Sequence, residues 1–185
     1  MRTCDVAILV MAGGQSRRFG AEDKLLADLD GQALGLHVAH RFAAMDWAQK
    51  KAVARFPLTR AYQSLGYEVV EPLPDNGLGD NLALGARDLD AQAVLILLAD
   101  MPFVSADHVF RMLDATTSTA TIVCSRSGDA RSPPVLIGRD HFTTLRALSG
   151  DTGARALFDD TLVEIESAPG TLADIDTPDD LKSLR

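Results

Sequence analysis

The sequence predicts one α/β domain in which a mostly parallel sheet lies between two layers of helices. Two apolar runs, at residues 6–12 and 93–99, have the length and composition of strands that are buried on both faces. Shorter extended segments alternate with segments of helical periodicity along the rest of the 185 residues. We therefore expect right-handed crossovers between parallel strands, and we allow for one antiparallel strand at an edge.

The composition limits the classes of partner that the protein can have. There are 18 Lys and Arg residues against 26 Asp and Glu residues, a formal net charge of −8, which disfavours nucleic acids and anionic membrane surfaces. No apolar stretch reaches the roughly 20 residues of a membrane span, and no targeting segment is visible. We expect a cytoplasmic protein whose single domain covers residues 1–185.

The stretch after the first apolar run carries the strongest functional signal. Gly13 and Gly14 allow backbone N–H groups to approach a ligand closely, and donors and positive charge follow as far as Lys24. A polyphosphate is the natural ligand. The spacing excludes a P-loop and a Rossmann fingerprint, because five residues separate Gly14 from Gly20 and Lys24 comes four residues later.

Residues 11–24 resemble the L-A-G-G-x-S-x-R-x-G-x-x-K signature of the MobA-like nucleotidyltransferases, with Met11 in place of Leu. That family attaches a nucleotide to the phosphate of molybdopterin. Further pieces at 97–104, 133–155 and 174–181 extend the resemblance over nearly the whole chain. It implies a three-layer α/β/α, Rossmann-like fold of the nucleotide-diphospho-sugar transferase type. It also implies that the nucleotide is bound by Ala12, Gly13, Gly14, Ser16, Arg17, Gly20 and Lys24.

A second glycine-containing loop occupies residues 72–81 and opens a helix at Asp80 or Asn81. Such a loop directs free N–H groups at the start of a helix toward a ligand. The loop resembles the family segment that contacts the base and ribose, which implies nucleotide binding by Gly79 and Asn81, although Asn81 stands where Ser is usual. An ordinary N-capped helix is the alternative.

Two aspartates are the expected ligands of a Mg²⁺ cofactor. Asp100 follows the second apolar run, at the strand end where ligands of parallel sheets gather. It could instead cap the next helix, but Ser105 is the better cap. Near the carboxyl end, Thr177 caps the last helix, and Asp176 lies just outside it. The resemblance implies that Asp176 can supply a second carboxylate to the metal.

The acceptor is expected to lie near residues 125–155. Residues 125–134 are predicted to be a polar loop that folds over the site, and the segment 133–155 resembles the molybdopterin cytidylyltransferases. Arg155 suits a phosphate, since a guanidinium binds two oxygens at once; pairing with Asp151 is the alternative. The acceptor-binding residues are therefore predicted to be Arg131, Pro133, Asp151 and Arg155.

The resemblance implies transfer of a nucleoside monophosphate from an NTP to molybdopterin, with release of pyrophosphate and with Lys24, Arg18 and Asp100 as catalytic residues. The segment 133–155 favours CTP, whereas the Ala-Gly-Gly motif favours GTP. A sugar or alditol phosphate acceptor remains open, as does a nucleotide-binding chaperone or sensor in molybdoenzyme maturation. An acceptor molybdoenzyme or its chaperone is a further expected partner. A glycosyltransferase is disfavoured because no D-x-D motif follows the strand.

Overall fold

A computed structural model describes residues 1–14, 19, 23–159 and 162–183. None of the helices in these ranges is long and apolar enough to cross a membrane. The strands are β1 (Val6–Ala12), β2 (Asp28–Leu29), β3 (Gln32–Ala33), β4 (Gln49–Ala54), β5 (Glu68–Val70), β6 (Ala93–Leu98), β7 (Ile122–Ser127), β8 (Ala130–Gly138) and β9 (Val163–Glu166). The α-helices are α1 (His37–Ala43), α2 (Leu58–Ser64), α3 (Leu78–Ala86), α4 (Ala106–Ala115), α5 (Phe142–Arg146) and α6 (Pro178–Ser183).

Seven strands form one sheet in the order β5-β4-β1-β6-β8-β7-β9, and β2 and β3 form a separate hairpin. Strand β8 pairs antiparallel with both β6 and β7, whereas the other pairs in the sheet are parallel. The mostly parallel sheet is therefore confirmed. The expected place of the antiparallel strand is wrong, because β8 lies inside the sheet and not at its edge.

The reason lies in a hairpin that was not predicted, although Gly128-Asp129 is a dipeptide typical of hairpin connections. Residues 125–134, predicted to be a polar loop, form the paired ends of β7 and β8, which only Gly128 and Asp129 connect. A connection this short forces the second strand to return antiparallel. The register shifts between Cys124 and Ser125, opposite the Pro-Pro pair that cannot donate ladder hydrogen bonds. The polar composition of this segment hid its pairing.

Strand β1 shows how the three layers are built. All seven of its residues are buried, and they alternate between two cores. Val10 belongs to the core that also holds residues of α1, α2 and α4, while Leu9 belongs to the core that holds residues of α3 and α5. A strand that is buried on both faces in this way is typical of a sheet covered by helices on both sides. The predicted three-layer fold is confirmed.

The helix starts agree with the predicted caps, with one shift. Ser105 Oγ accepts a hydrogen bond from the His108 amide at 3.2 Å, and Thr177 Oγ1 accepts one from the Asp180 amide at 3.2 Å. Because Ser105 caps α4, Asp100 has no capping role there. Helix α3 begins at Leu78, two residues before the predicted start, with Gly77 as its N-cap.

Candidate active site

A cavity of about 600 Å³ opens at the carboxyl edge of the sheet, where β1 and β6 end. The chain runs from β1 outward to β4 and β5 and then returns to β6 on the other side of β1, so the cavity lies at a switch in strand order. Its volume is within the range of small-molecule sites. The lining residues are Met11, Gly13, Gly14, Lys24, Leu25, Asp75, Asn76, Gly77, Leu78, Asp80, Asn81, Leu98, Asp100, Gly150, Asp151 and Asp176.

One lysine and two aspartates form the charged centre of the cavity. Lys24 Nζ lies 2.6 Å from Asp100 Oδ2 and 2.8 Å from Asp176 Oδ1. The Lys24 side chain is 12% exposed, and the two carboxylate side chains are 21% and 36% exposed. The Ile175 amide donates to the Asp100 carbonyl at 3.0 Å, which attaches the carboxyl-terminal segment to the end of β6. The structure thus brings together all three residues, which lie far apart in sequence.

A short helical turn presents Lys24 to these carboxylates. The 3₁₀ turn Lys24–Leu26 has Asp23 as its N-cap, and Asp23 Oδ1 accepts from the Leu25 amide at 3.0 Å. Leu25 is buried against Gly35, where an added Cβ would lie only 2.9 Å from the Leu25 Cβ. Leu25 therefore anchors the turn in the core, while its neighbour Lys24 extends into the cavity.

The turn after β6 is held in place by a residue from another helix. Arg41 Nη1 donates to the Pro102 carbonyl at 2.5 Å and to the Val104 carbonyl at 2.8 Å. Arg41 belongs to α1, so this helix fixes the backbone that follows Asp100. Sequence reasoning missed Arg41, because its partners lie about sixty residues away along the chain.

Two opposing influences act on the pKa of Lys24. Burial is the larger single influence and lowers the pKa, since it disfavours the charged ammonium. The attraction of Asp100 and the hydrogen bonds to Asp100 and Asp176 together outweigh burial, so the pKa is raised above its usual value. Lys24 therefore stays protonated at neutral pH, and it offsets one of the two negative charges beside it.

The two carboxylates fit a hard divalent cation. Asp100 Oδ1 is buried and has no hydrogen-bond partner among the described residues, so this oxygen is suited to a donor or a cation from a ligand. Mg²⁺ is commonly held by one or two carboxylates together with phosphate oxygens of a substrate. No group of three or more His, Cys, Asp or Glu side chains suited to a metal occurs among the described residues. Phosphate oxygens of a substrate and water would complete the shell of a metal held by Asp100 and Asp176.

The glycine pair after β1 lines the rim of the cavity. A Cβ at Gly13 would lie 3.1 Å from Pro72 Cγ, whereas a Cβ at Gly14 would meet nothing within 4 Å. Arg55 Nε donates to the Gly13 carbonyl at 3.0 Å, and Arg55 Nη2 donates to the Leu73 carbonyl at 3.3 Å. Arg55 therefore joins the loops after β1 and β5. It was also missed, although its place directly after β4 was a usable signal.

Several predicted residues of the first loop lie outside the described part of the chain. These are Ser16, Arg17, Arg18 and Gly20. Their assignment to the nucleotide, and the catalytic role of Arg18, stay predictions. Ala12 is the buried last residue of β1, directly before the glycines that line the cavity.

The loop at the start of α3 supplies a second wall, but its two predicted residues differ in placement. Asn81 lines the cavity and is 6% exposed, and its buried Oδ1 has no hydrogen-bond partner within the described part of the chain. Such an oxygen is suited to accept a hydrogen bond from a ligand. The Gly79 amide instead donates to the Gly150 carbonyl at 2.8 Å, so it is used between two loops and not presented to the cavity.

The predicted acceptor residues are divided between two openings. Asp151 lines the cavity, whereas Pro133 lines neither opening. A second opening of about 690 Å³, which we call the arginine groove, lies where β7 and β9 end and β8 begins. Both openings are at the carboxyl edge, because β7 and β9 end there like β6. The arginine groove is lined by Arg126, Asp129, Ala130, Arg131, Arg155, Phe158 and Glu164.

Pairs of opposite charge organise the arginine groove. Arg131 Nε lies 2.6 Å from Glu164 Oε1, and Arg126 Nη2 lies 2.9 Å from Glu166 Oε2. Arg155 Nη2 donates to the Arg131 carbonyl. The alternative pairing of Arg155 with Asp151 does not occur among the ion pairs of the described ranges.

Ligand cavities at a switch in strand order are typical of nucleotide-binding α/β proteins, and this is the class that the fold and the cavity define. The sequence narrows that class. Residues 8–165 match the MobA-like NTP transferase domain, and the chain therefore belongs to the MobA-like NTP transferase family. It is accordingly an enzyme of the transferase type.

Several known proteins are similar to this chain over nearly its whole length. The molybdenum cofactor guanylyltransferase of Shewanella frigidimarina is 25% identical to this chain, and the matched part covers 95% of this chain and 93% of that protein. The purine catabolism protein PucB of Bacillus subtilis is 28% identical over 100% of this chain and 98% of its own length. The solved structure of Rv0371C of Mycobacterium tuberculosis in complex with manganese has a TM-score of 0.76 at 21% identity, with 97% of each chain covered.

Proposed function

We propose that the protein transfers a nucleoside monophosphate from an NTP to the phosphate of molybdopterin and releases pyrophosphate. Membership of the NTP transferase family and the name of the Shewanella frigidimarina relative support the reaction and the acceptor. The observation that carries the proposal is the contact of the Lys24 ammonium with Asp100 and Asp176 inside a nucleotide-sized cavity. This centre offers a cation for phosphates and carboxylates for a metal.

The reaction needs positioned charge and no general base. An oxygen of the acceptor phosphate forms a bond to the α-phosphorus, while the bond from that phosphorus to the oxygen of the departing pyrophosphate breaks. The acceptor phosphate has a second pKa of about 6, so it is largely ionised at neutral pH. Lys24 is charged at this pH and is suited to stabilise the negative charge that develops on the pyrophosphate.

Asp100 and Asp176 would hold Mg²⁺, whose contribution when bound is to neutralise charge on the triphosphate. The orphaned Asp100 Oδ1 supports this role, and so does the manganese in the Mycobacterium tuberculosis relative. A Cβ at Gly14 would meet none of the described residues within 4 Å, and this open backbone suits close approach of a polyphosphate.

GTP is the proposed donor. The Shewanella frigidimarina relative is named a guanylyltransferase, and the Ala-Gly-Gly motif at residues 12–14 agrees with that branch. The segment 133–155, on which the preference for CTP was based, is divided between two openings: Asp151 lies at the cavity and Arg155 at the arginine groove. CTP is therefore the second candidate.

The arginine groove is the proposed site for the phosphate or pterin of the acceptor. Arg155 supports this assignment, because its guanidinium contacts the Arg131 carbonyl and no carboxylate of the described residues pairs with it. A guanidinium with remaining donors can bind a phosphate through two oxygens. Delivery of the product to a molybdoenzyme or its chaperone belongs to the same proposal.

A nucleotide screen tests the reaction. Pyrophosphate release is measured with molybdopterin, Mg²⁺ and each of the four NTPs, and a sugar phosphate replaces molybdopterin as the acceptor control. We expect GTP to be used at least about tenfold faster than the others, a difference of about 1.4 kcal/mol. Faster pyrophosphate release with CTP than with GTP would refute GTP as the donor and leave the proposed reaction intact. Nucleotide binding without any pyrophosphate release would show a chaperone or sensor instead of a transferase.

A further inference from the structure

Two loops that line the cavity are joined by a single side chain. Asp80, in the first turn of α3, accepts hydrogen bonds at Oδ2 from the Gly77 amide at 2.9 Å and from the Gly150 amide at 3.1 Å. The Gly79 amide adds a hydrogen bond to the Gly150 carbonyl at 2.8 Å. We call these three contacts the Asp80 clasp. It connects the loop before α3 with the loop after α5.

The backbones at the clasp are too close for side chains. A Cβ at Gly77 would lie 2.2 Å from the Gly150 carbonyl oxygen, and a Cβ at Gly79 would lie 2.6 Å from the Thr152 carbonyl oxygen. Either side chain would force the loops apart, because real contacts of this kind are never so short. The two glycines are thus a condition for the contact, and Asp80 is the group that holds it.

The chemistry of Asp80 makes the clasp strong for its size. A carboxylate that accepts from backbone amides forms charge-assisted hydrogen bonds, which are about twice as strong as neutral ones. Asp80 also stands in the first turn of α3, where the helix dipole favours negative charge. Removing the carboxylate would leave the Gly77 and Gly150 amides without this acceptor.

The clasp determines where one wall of the cavity stands. Gly77, Gly150 and Asp151, which belong to the two joined loops, line the cavity together with Asn81, which follows Asp80 in α3. We propose that Asp80 is a positioning residue for the nucleotide, because it fixes the distance between these loops and thereby the width of the donor site. This inference rests on the proposed function. Arg155 has its own anchor at the Arg131 carbonyl, so acceptor binding does not depend on the clasp.

Steady-state kinetics of three variants test the role of Asp80. We expect Asp80→Ala to raise the KM for GTP by about tenfold, as the loss of charge-assisted hydrogen bonds implies, with kcat within about threefold of the native value. The KM for molybdopterin should change by less than about twofold. Asp80→Asn keeps an acceptor oxygen and should restore most of the affinity. Asp88→Ala, which removes an exposed carboxylate just beyond α3, is the matched control and should change nothing.

A merely structural role would give a different pattern. It would lower the melting temperature and the active fraction, and therefore kcat, while the KM for GTP stayed the same. That result, or an unchanged KM in Asp80→Ala, overturns the proposal. If Asp80→Ala does not fold, Gly79→Ala separates the same loops and must show the same rise in KM.

Failure of the clasp and failure of the proposed function are distinguishable. If the native protein releases no pyrophosphate, the transfer reaction is refuted, and the clasp is still measured by equilibrium binding of GTP, which Asp80→Ala should weaken about tenfold. If the native protein turns over and Asp80→Ala has the native KM, only the clasp is refuted.

Discussion

The cavity and the arginine groove lie at the same edge of the sheet, yet they use charge differently. In the cavity, one largely buried ammonium contacts two carboxylates. In the groove, the side chains of Arg126, Arg131 and Glu164 are between 30% and 50% exposed. Water screens exposed pairs, so each is worth at most about 1 kcal/mol, whereas partly buried charges interact more strongly. The cavity is therefore suited to chemistry, and the groove is suited to recognition.

Removal of the Asp100 charge should have the largest effect on the reaction in the cavity. We expect Asp100→Asn to lower kcat by roughly 10³-fold, since the site loses a charge at the reacting groups. Pyrophosphate release at saturating GTP and molybdopterin measures it. Asp107→Asn removes an exposed carboxylate of α4 and serves as the control. Near-native turnover of Asp100→Asn would show that the charge of Asp100 is not needed for the reaction.

Removal of the Lys24 ammonium comes next. Lys24→Met keeps the length of the side chain and should lower kcat by roughly 10²-fold, because the pyrophosphate loses a cation. Lys182→Met removes a mostly exposed ammonium paired with Asp179, and it should keep native kinetics. An effect on the KM for GTP alone would mean that Lys24 binds the ground state and the transition state equally and does not favour the transition state.

A substitution in the arginine groove should raise the KM for molybdopterin and leave kcat unchanged. Arg155→Ala is expected to raise the KM for molybdopterin by about tenfold, the loss expected for hydrogen bonds to a charged group. Arg139→Ala is the matched control, because Arg139 pairs with Asp90 at the opposite edge of the sheet. If the KM for molybdopterin is unchanged and the KM for GTP rises, the arginine groove binds the donor nucleotide and not the acceptor.

The smallest expected effect is a change of folding stability with pH that depends on His108 of α4. His108 is buried; Arg111 Nη2 lies 3.1 Å from its Nδ1, and Ser125 Oγ lies 2.8 Å from its Nε2. A guanidinium only donates, so Nδ1 accepts and Nε2 donates to Ser125, which in turn donates to the Pro134 carbonyl at 2.8 Å. Burial, followed by the charge of Arg111, lowers the pKa of His108.

The sign of the pH effect follows from the neutral form of His108. The unfolded chain takes up a proton near the ordinary histidine pKa of about 6.5, while the folded chain does so only at lower pH. Stability is therefore present above this range and lost as the pH falls. The melting temperature should drop between about pH 7.5 and about pH 5.5, and it should drop less in His108→Gln. An equal drop of the melting temperature in the native protein and in His108→Gln would show that His108 does not cause the pH dependence. Lys24, whose pKa is raised, stays charged throughout.

The sequence predicted those parts of the molecule that depend on short stretches of chain. Two apolar runs identified β1 and β6, because strands buried on both faces need continuous apolar residues. Asp100 was found from its position at a strand end, and the caps Ser105 and Thr177 were found from local helix chemistry. Each of these signals lies within about ten residues.

Features that depend on distant partners could not be found in this way. The outer half of the β7–β8 hairpin is polar and contains Pro133 and Pro134, a composition that is also typical of a loop, so its pairing across the bulge was not predicted. Asp80 meets Gly150 across 70 residues, so its second partner was invisible. Arg41 and Arg55 donate to backbone carbonyls, which every residue carries, so the sequence does not identify their partners.

The burial of β1 on both faces has a consequence for hydrogen exchange. Its residues from Val6 to Val10 are 0% exposed, and both neighbours in the sheet are parallel strands. Amides in such a strand exchange only when the whole domain opens, whereas those at the tip of the β7–β8 hairpin can exchange through local opening. The slowest-exchanging amides should therefore be those of β1, which ends at the cavity. Loss of a bound ligand should leave the exchange mechanism of these amides unchanged.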